Sequence, residues 1–298
     1  MKHFILGSDW WSDCDDAVAI RLLLNLHKAG KISLDGIVIN GCMEYSAAGL
    51  DGFLQLSGVN NIPIGIDCEG TDFYGVGRYQ ERLSKFAKNI KSNADAEDPI
   101  KLYRKILAQS NEKVTILEIG FPQVLANLLK SEADEFSPLK GIDLVREKVE
   151  HLWIMAGKWD VPEGAKEHNF CNNLRASQGA EYLCTNWPTP ITFLGFEVGV
   201  TVITGRKLDH NDFLYQAMVD NEYPDGRCSW DPMLVLLGTS GNLEQEGYSC
   251  VYGTARVDGS NGMNYFTESS TGRHRYVKKI QADEFYVNRI DSMINFEK

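Results

Sequence analysis

Along the first two thirds of the chain, short apolar runs alternate with longer stretches whose apolar residues recur at helical spacing. "HFILGSD" reads as a buried strand, and "DDAVAIRLLLNLHKAG" as an amphipathic helix closed by Gly30. The alternation continues with "LDGIVING" as strand, "YSAAGLDGFLQLSG" as helix and "IPIGI" as strand. "DPIKLYRKILAQS" is a helix with an Asp-Pro opening that leads into the strand "KVTILEIG". "PQVLANLLKSEAD" and "LRASQGAEYLCTN" read as helices, "VEHLWIMAG" and "PITFLGFEV" as strands. This βαβα rhythm predicts an α/β fold: a mostly parallel, Rossmann-like open sheet flanked by helices on both faces.

The last third changes character. "DHNDFLYQAMVDN" and "DPMLVLLGTSG" read as helices, "YSCVYGTARVDGS" and "RHRYVKKIQ" as β-rich segments, and "ADEFYVNRIDSMINF" as a closing helix. The expectation is a smaller β-rich C-terminal addition to the main sheet. No Pro/Gly/Ser linker, low-complexity run or internal repeat divides the chain, and "KNIKSNADAED" reads as a surface loop. Residues 1–298 are therefore expected to form a single domain.

Composition narrows the function classes. Hydrophobic content of 43% and charged content of 24% are ordinary for a globular chain, and 298 residues can bury a substantial core. A net charge of −11 argues against a nucleic-acid polymer or an anionic membrane as partner, though not against small nucleic-acid components. The seven cysteines contain no C-x-x-C pair, which suggests reduced thiols rather than a zinc or disulfide framework. The apolar run in "MKHFILGSDW" is too short for a signal peptide or a membrane span, so a cytoplasmic location is expected.

The candidate chemistry begins where the first strand ends. Asp9, Asp13, Asp15 and Asp16 crowd into eight residues. Four clustered carboxylates repel one another, and burial would raise each pKa unless a cation sat among them. A helix N-terminus favours one or two nearby anions, not four. Oxygen-only ligands suit Ca²⁺ or Mg²⁺ far better than zinc. The plainer reading is an acidic helix start with Asp15 or Asp16 as a cap.

Ligands of open α/β sheets bind beyond the carboxyl ends of the strands, and three other strand ends carry candidates. "LEIG" delivers Ile119 and Gly120, where a backbone carbonyl is available as a ligand. "WIMAGKWD" runs into "EGAKEHNFCNN", a polar loop with Glu167, His168, Asn169, Asn172 and Asn173. In "CSWDPMLV", Trp230 and Asp231 precede a Pro-started helix, where Asp231 alone reads as an N-cap.

Taken together, these segments resemble the inosine-uridine-preferring nucleoside hydrolase family over roughly residues 3 to 260. "GSDWWSDCDDAVA" echoes the family's Asp-x-Asp-x-x-x-Asp-Asp run, and "EIGFPQVLAN" its Thr-Gly-Pro-Leu-Thr-Asn-like turn. "IMAGKW" matches its Met-Gly-Gly strand end, "EHNFCNN" its Glu-Phe-Asn loop, and "SWDPMLV" its His-Asp-Pro helix start. The resemblance implies one Ca²⁺ per chain at the floor of a deep pocket, binding a water and two ribose hydroxyls. On this basis Asp9, Asp16 and Asp231 are side-chain ligands and the Ile119 carbonyl completes the shell. Asp15 would face the sugar hydroxyls, and Glu167 and Asn169 would hold the far side of the ribose. Met155 would pack beneath the sugar, and Trp230 would lie near the base.

The chain departs from the family pattern at several positions. Counting back from Asp15 and Asp16 puts Trp11 at the general-base position. Counting forward from the strand puts Asp9 there, with a loop two residues longer that carries the extra Asp13. The forward count is preferred, because a strand fixes where its last carboxylate points. Gly7 stands where the family has its first carboxylate, and Trp230 where most members have a His acid.

The implied function is a metal-dependent N-glycosidase. A Ca-bound water, deprotonated by Asp9 or alternatively Asp13, would split a nucleoside or related N-riboside into free sugar and base. His168 is a candidate acid; Trp10, Trp11, Trp159 and Trp230 are candidates for stacking on the base. "GMNYFTESSTGRHRY" is either part of the pocket wall or an ordinary hairpin. The expected partner is a small nucleoside or glycoside, and the family implies a homodimer or homotetramer. The alternatives are a catalytically impaired sugar- or nucleoside-binding protein of the same fold, a hydrolase of another glycoside and, third, a metal-dependent phosphohydrolase. A Rossmann dinucleotide site is disfavoured because no G-x-G-x-x-G follows the first strand.

Overall fold

Phe4 and Leu6 of the opening strand enter one apolar cluster and Ile5 enters another, so the strand is buried on both faces and has no polar alternation. The computed structural model describes residues 1–295; Phe296, the last residue of the expected closing helix, lies outside the described residues. Twelve strands occur among them: β1 (Lys2–Ser8), β2 (Ile32–Ile39), β3 (Ile64–Ile66), β4 (Val114–Glu118), β5 (Val149–Met155), β6 (Ala165–Lys166), β7 (Ile191–Leu194), β8 (Ile203–Thr204), β9 (Arg227–Cys228), β10 (Tyr248–Val257), β11 (Met263–Glu268) and β12 (His274–Lys279). Ten of these form one sheet in the order β3-β2-β1-β4-β5-β7-β12-β10-β11-β6, while β8 and β9 pair separately. From β3 to β12 every neighbouring pair is parallel; β10, β11 and β6 add antiparallel strands at one edge.

The expected mostly parallel sheet with a β-rich C-terminal addition is therefore the observed one. The strand order reverses between β1 and β4, which opens the crevice where such sheets bind ligands. Helix Asp15–Lys28 packs on helix Trp230–Ser240 over one face of the sheet. Helices Pro99–Gln109, Gln123–Lys130 and Leu174–Asn186 contribute to the cluster on the other face. Helix Asp15–Lys28 has two acids in its first turn and His27 and Lys28 in its last, matching the sign of its dipole. Gly30 follows at φ +65°, a conformation that glycine adopts without strain.

Some local expectations are corrected. The "FEV" of "PITFLGFEV" is not strand but the short helix Phe196–Gly199. The "EHNFCNN" segment is not an open loop: Glu167 caps a single helical turn, His168–Cys171. Asp231 is not an N-cap, because the helix begins at Trp230 and Ser229 occupies the cap position. Neither Asp15 nor Asp16 caps its own helix; Cys14 holds that position without a side-chain bond. Helix Gly141–Lys148 is unforeseen, since its two turns carry too few apolar repeats to stand out. "GMNYFTESSTGRHRY" is neither a hairpin nor pocket wall: it supplies β11 and the start of β12, which pair with opposite sides of β10 and not with each other, and none of its residues lines the acidic pocket described below. All seven cysteines are unpaired. Among the described residues no helix is long and apolar enough to cross a membrane.

Candidate active site

The carboxyl ends of β1, β4 and β5 and the start of helix Trp230–Ser240 enclose a cavity of about 320 Å³, a size suited to a small ligand. Asp9, Asp13, Asp15, Asp16, Ile119, Met155, Glu167, His168, Asn169, Trp230 and Asp231 all line it. These eleven candidates thus share one pocket, while Gly120, Asn172 and Asn173, also named from the sequence, do not line it. Ser12, Phe196 and Arg227 line it too.

Its floor is acidic. One carboxylate oxygen from each of Asp15, Asp16 and Asp231 lies within 4.8 Å of the other two, and all three residues are buried. Asp9 lines the same floor but is not part of that group. Burial pushes the pKa of Asp9, Asp15 and Asp231 well above the usual carboxylate range, and repulsion among the neighbouring aspartates adds to it. Burial raises Asp16 to about 7 even though hydrogen bonds from Ser8, Trp10 and its own backbone oppose it. Ser8 Oγ–H donates to Asp16 Oδ1 at 2.5 Å and Trp10 N–H donates to the same oxygen at 3.2 Å. The Asp231 N–H donates to Asp15 Oδ2 at 3.3 Å, which ties the two distant segments together.

Three buried oxygen donors that repel one another fit a hard divalent cation and fit zinc poorly. Arg227, the arginine lining the pocket, relieves this group only in part: it lowers Asp15, but its fork is taken by another acid. Arg227 Nε lies 2.8 Å from Asp13 Oδ1, and Nη2 lies 2.5 Å from Oδ2. The extra aspartate of the lengthened loop is thus held in a bidentate ion pair from a strand 214 residues away. Asp9 has no ion pair among the described residues.

The lengthened loop is anchored rather than slack. Trp10 takes φ +46°, unusual for a non-glycine residue, so that the chain can double back after β1. Its ring is fully buried and packs edge-on against Phe53 and Tyr79. Gln80 Nε2 donates to the carbonyls of Trp10 and Trp11. Trp11 packs on Phe73, and Trp159 lies in the core against Phe193. Of the four tryptophans considered for base stacking, only Trp230 lines the pocket.

Trp230 belongs to an aromatic wall. Its ring stacks on Phe196 at 5.3 Å, its Nε1–H donates to the Phe196 carbonyl at 2.8 Å, and the Arg227 guanidinium lies over the ring at 5.0 Å. Opposite, Glu167 is buried at about pKa 7, raised by burial. Both its oxygens accept backbone N–H bonds, from Asn169 at 3.0 Å and Gly157 at 2.8 Å. Asn169 Nδ2 donates to the Met155 carbonyl at 2.9 Å, locking this turn to the end of β5. Burial lowers the pKa of His168, and its Nε2 lies 2.9 Å from Asn172 Nδ2. A ring kept neutral in this way is a poor proton donor near pH 7.

Beneath the floor is a residue that sequence reasoning passed over. Gly7 and Glu118 are register partners across β1 and β4, and a Cβ on Gly7 would fall on the Glu118 carboxyl. The Glu118 carboxyl thus occupies the space that a side chain on Gly7 would take. Glu118 is fully buried and pushed up to about 8 by burial. Glu118 Oε1 accepts from Asn40 Nδ2 at 2.8 Å and from Gly120 N–H at 2.9 Å, while Asn40 Oδ1 accepts from Phe121 N–H at 2.9 Å. This network fixes the turn that presents Ile119 to the pocket. A side chain on Gly120 would collide with the Asp9 backbone nitrogen, so glycine is required there.

The mostly parallel open sheet flanked by helices matches the nucleoside hydrolase fold. The chain superimposes on the crystal structure of an inosine-uridine preferring nucleoside hydrolase from Bacillus anthracis with a TM-score of 0.67 and 17% identity, covering 98% of this chain and 100% of that one. It is also similar to the type III effector protein XopQ, solved in complex with adenosine diphosphate ribose, with a TM-score of 0.62 and 14% identity over 98% of this chain and 93% of that one. The effector protein XOO4466 gives a TM-score of 0.61 and 15% identity over the same shares. No family model and no curated protein matches the sequence.

Proposed function

We propose that this chain is a metal-dependent N-glycosidase that hydrolyses a nucleoside or related N-riboside to free sugar and base. The observation that carries the reading is the meeting of Asp15 and Asp16 with Asp231, from opposite ends of the chain, on the floor of a pocket with an aromatic wall. Asp16, Asp231 and the Ile119 carbonyl would hold one Ca²⁺, with Asp9 beside them. When bound, the ion would orient sugar hydroxyls and make a water more acidic.

The side chains would act as follows. Asp9, free of ion pairs, takes the proton of the attacking water as general base, while Asp13 is committed to Arg227. Asp15 accepts hydrogen bonds from the ribose hydroxyls. Asn169, held by Glu167, and Met155 grip the far side of the sugar. As the C–N bond lengthens, positive charge grows on the ribosyl ring and the acidic floor stabilises it. The electron pair of that bond leaves with the base, which packs against the edge of the Trp230–Phe196 pair, near Arg227, and takes a proton from solvent.

The test is a panel of nucleosides and other glycosides scored for reducing-sugar release. Release is expected with Ca²⁺ and is expected to stop with a chelator or with Asp9→Asn. Saturable ligand binding without release from any compound would overturn catalysis and leave a binding protein of the same fold.

A further inference from the structure

At the amino ends of β5, β7 and β12, the opposite end of the strands from the acidic pocket, lies a second cavity of about 590 Å³. Its character is the reverse of the first. Arg273 and Arg275 line it together with His151, His274, Tyr252 and Thr189, and no carboxylate does. In a chain of net charge −11 most buried or half-buried arginines grip an acid: Arg21 on Asp212, Arg104 on Asp134, Arg227 on Asp13, Arg289 on Glu246. Arg275, half-buried, bonds only neutral acceptors among the described residues, as does the exposed Arg273.

Those neutral acceptors hold the guanidinium groups in place. Tyr252, Arg275, Thr192 and Trp153 are consecutive register partners across β10, β12, β7 and β5, so their side chains share one sheet face. Arg275 Nε–H donates to Thr192 Oγ1 at 2.7 Å, its Nη1 lies 3.5 Å from the Tyr252 hydroxyl, and its guanidinium lies over Trp153. Arg273 donates to the carbonyls of Cys184 and Thr185 at the end of helix Leu174–Asn186.

His274 is 1% exposed, and its Nδ1 accepts the Ala255 N–H at 3.0 Å, which leaves the ring proton on Nε2. That buried Nε2–H has no partner among the described residues, and because His274 alternates with Arg275 along β12 its ring lies on the other sheet face, edge-on to Phe193. Burial, with help from the adjacent arginines, lowers His151 to about 3 and His274 to about 4. Both rings are thus neutral at pH 7, and the two arginines alone set the cavity's charge.

We propose that this cavity is a binding site for a phosphate-bearing small molecule, held by the Arg273 and Arg275 guanidinium groups with the Tyr252 hydroxyl as a further donor. Two forked cations match a phosphomonoester, which carries close to two negative charges and three terminal oxygens at neutral pH. The volume exceeds what a bare phosphate ion fills and leaves room for the organic part of an ester.

The test is calorimetric titration of the full chain, in chelator so that no metal–phosphate contact forms at the acidic pocket, with inorganic phosphate and separately with ribose 5-phosphate. One saturable site per chain is expected for each probe, at least tenfold tighter for the ester. Equal affinity would assign the site to free phosphate. Arg275→Gln and Arg273→Gln are each expected to weaken binding tenfold or more, with Arg275→Lys intermediate. Ring ¹H–¹⁵N spectra of the unmodified protein keep the test independent of variant folding: His151 should shift with the probe, while His3, His27 and His210 should not. The proposal is overturned if neither probe saturates, if binding survives both glutamine substitutions, or if His151 does not respond. It is also overturned if light scattering shows phosphate dissociating a dimer, which would make a second copy of the chain the occupant.

Discussion

Replacing Asp16 by Asn in metal-free protein isolates the electrostatic cost that the proposed ion relieves. Burial holds Asp16 at about 7 in the folded chain, against an ordinary value of 3.8. Below about pH 4 the carboxyl is protonated in both folded and unfolded chains, and it contributes no pH dependence. Between pH 4 and 7 the folded chain keeps a proton that the unfolded chain has lost, so stability falls as pH rises. Roughly three pH units at about 1.4 kcal/mol each gives a loss of about 4 kcal/mol by pH 7 to 8. Asn keeps an Oδ1 to accept from Ser8 Oγ–H and Trp10 N–H, so it removes the charge and retains the geometry.

In chelator at pH 8, Asp16→Asn should therefore be more stable than the natural chain by up to about 4 kcal/mol, with Tm higher by roughly 5–10 °C. Calcium should reverse the order. An ion at a thousand times its dissociation constant stabilises by about 4 kcal/mol, and the variant should gain almost none of this. Scanning calorimetry from pH 4.5 to 8.5, with chelator and with calcium, reads both effects. The reasoning fails if the variant is the less stable chain in chelator at pH 8, if the natural chain in chelator shows no loss of stability between pH 4.5 and 7, or if calcium raises both chains equally.

Three further outcomes follow from the same geometry. Arg227→Met frees Asp13 beside the acidic floor and should cost about 1–3 kcal/mol by chemical denaturation, while raising KM for nucleosides whose base rests on Trp230. His168→Ala should leave kcat at pH 7 within about threefold, because a ring kept neutral by burial supplies no acid; a loss of 10²-fold or more in steady-state assays would restore it as the leaving-group acid. Gly7→Ala should destabilise by about 1–3 kcal/mol, since its Cβ would fall on Glu118, and much of that cost should vanish in the Gly7→Ala/Glu118→Ala double variant, a coupling that a denaturation cycle measures.

The parallel sheet was legible because its strands are buried on both faces and its helices carry strong apolar periodicity, as in Phe4–Leu6 and Asp15–Lys28. The candidate pocket was legible for a related reason: parallel strands all deliver their carboxyl ends to one rim, so polar residues at successive strand ends were bound to converge. What was hidden depends on partners far apart in sequence. Nothing near Arg227 announces a bidentate bond to Asp13, and nothing near Gly7 announces that Glu118 fills the space beside it across the ladder. Trp10 and Trp11, beside the acidic cluster in sequence, turn away into the core because the loop needs anchoring. The Glu167 turn looked like a loop because a single helical turn is too short to show periodicity.

The most direct test of the proposed centre is a calorimetric titration of Ca²⁺ into chelator-freed protein, with and without ribose. One ion per chain should bind, Asp231→Asn should abolish that binding, and ribose should bind measurably only when calcium is present. Absence of calcium binding, or binding that is indifferent to Asp231→Asn, would contradict a shared metal and sugar site at the meeting of the two chain segments.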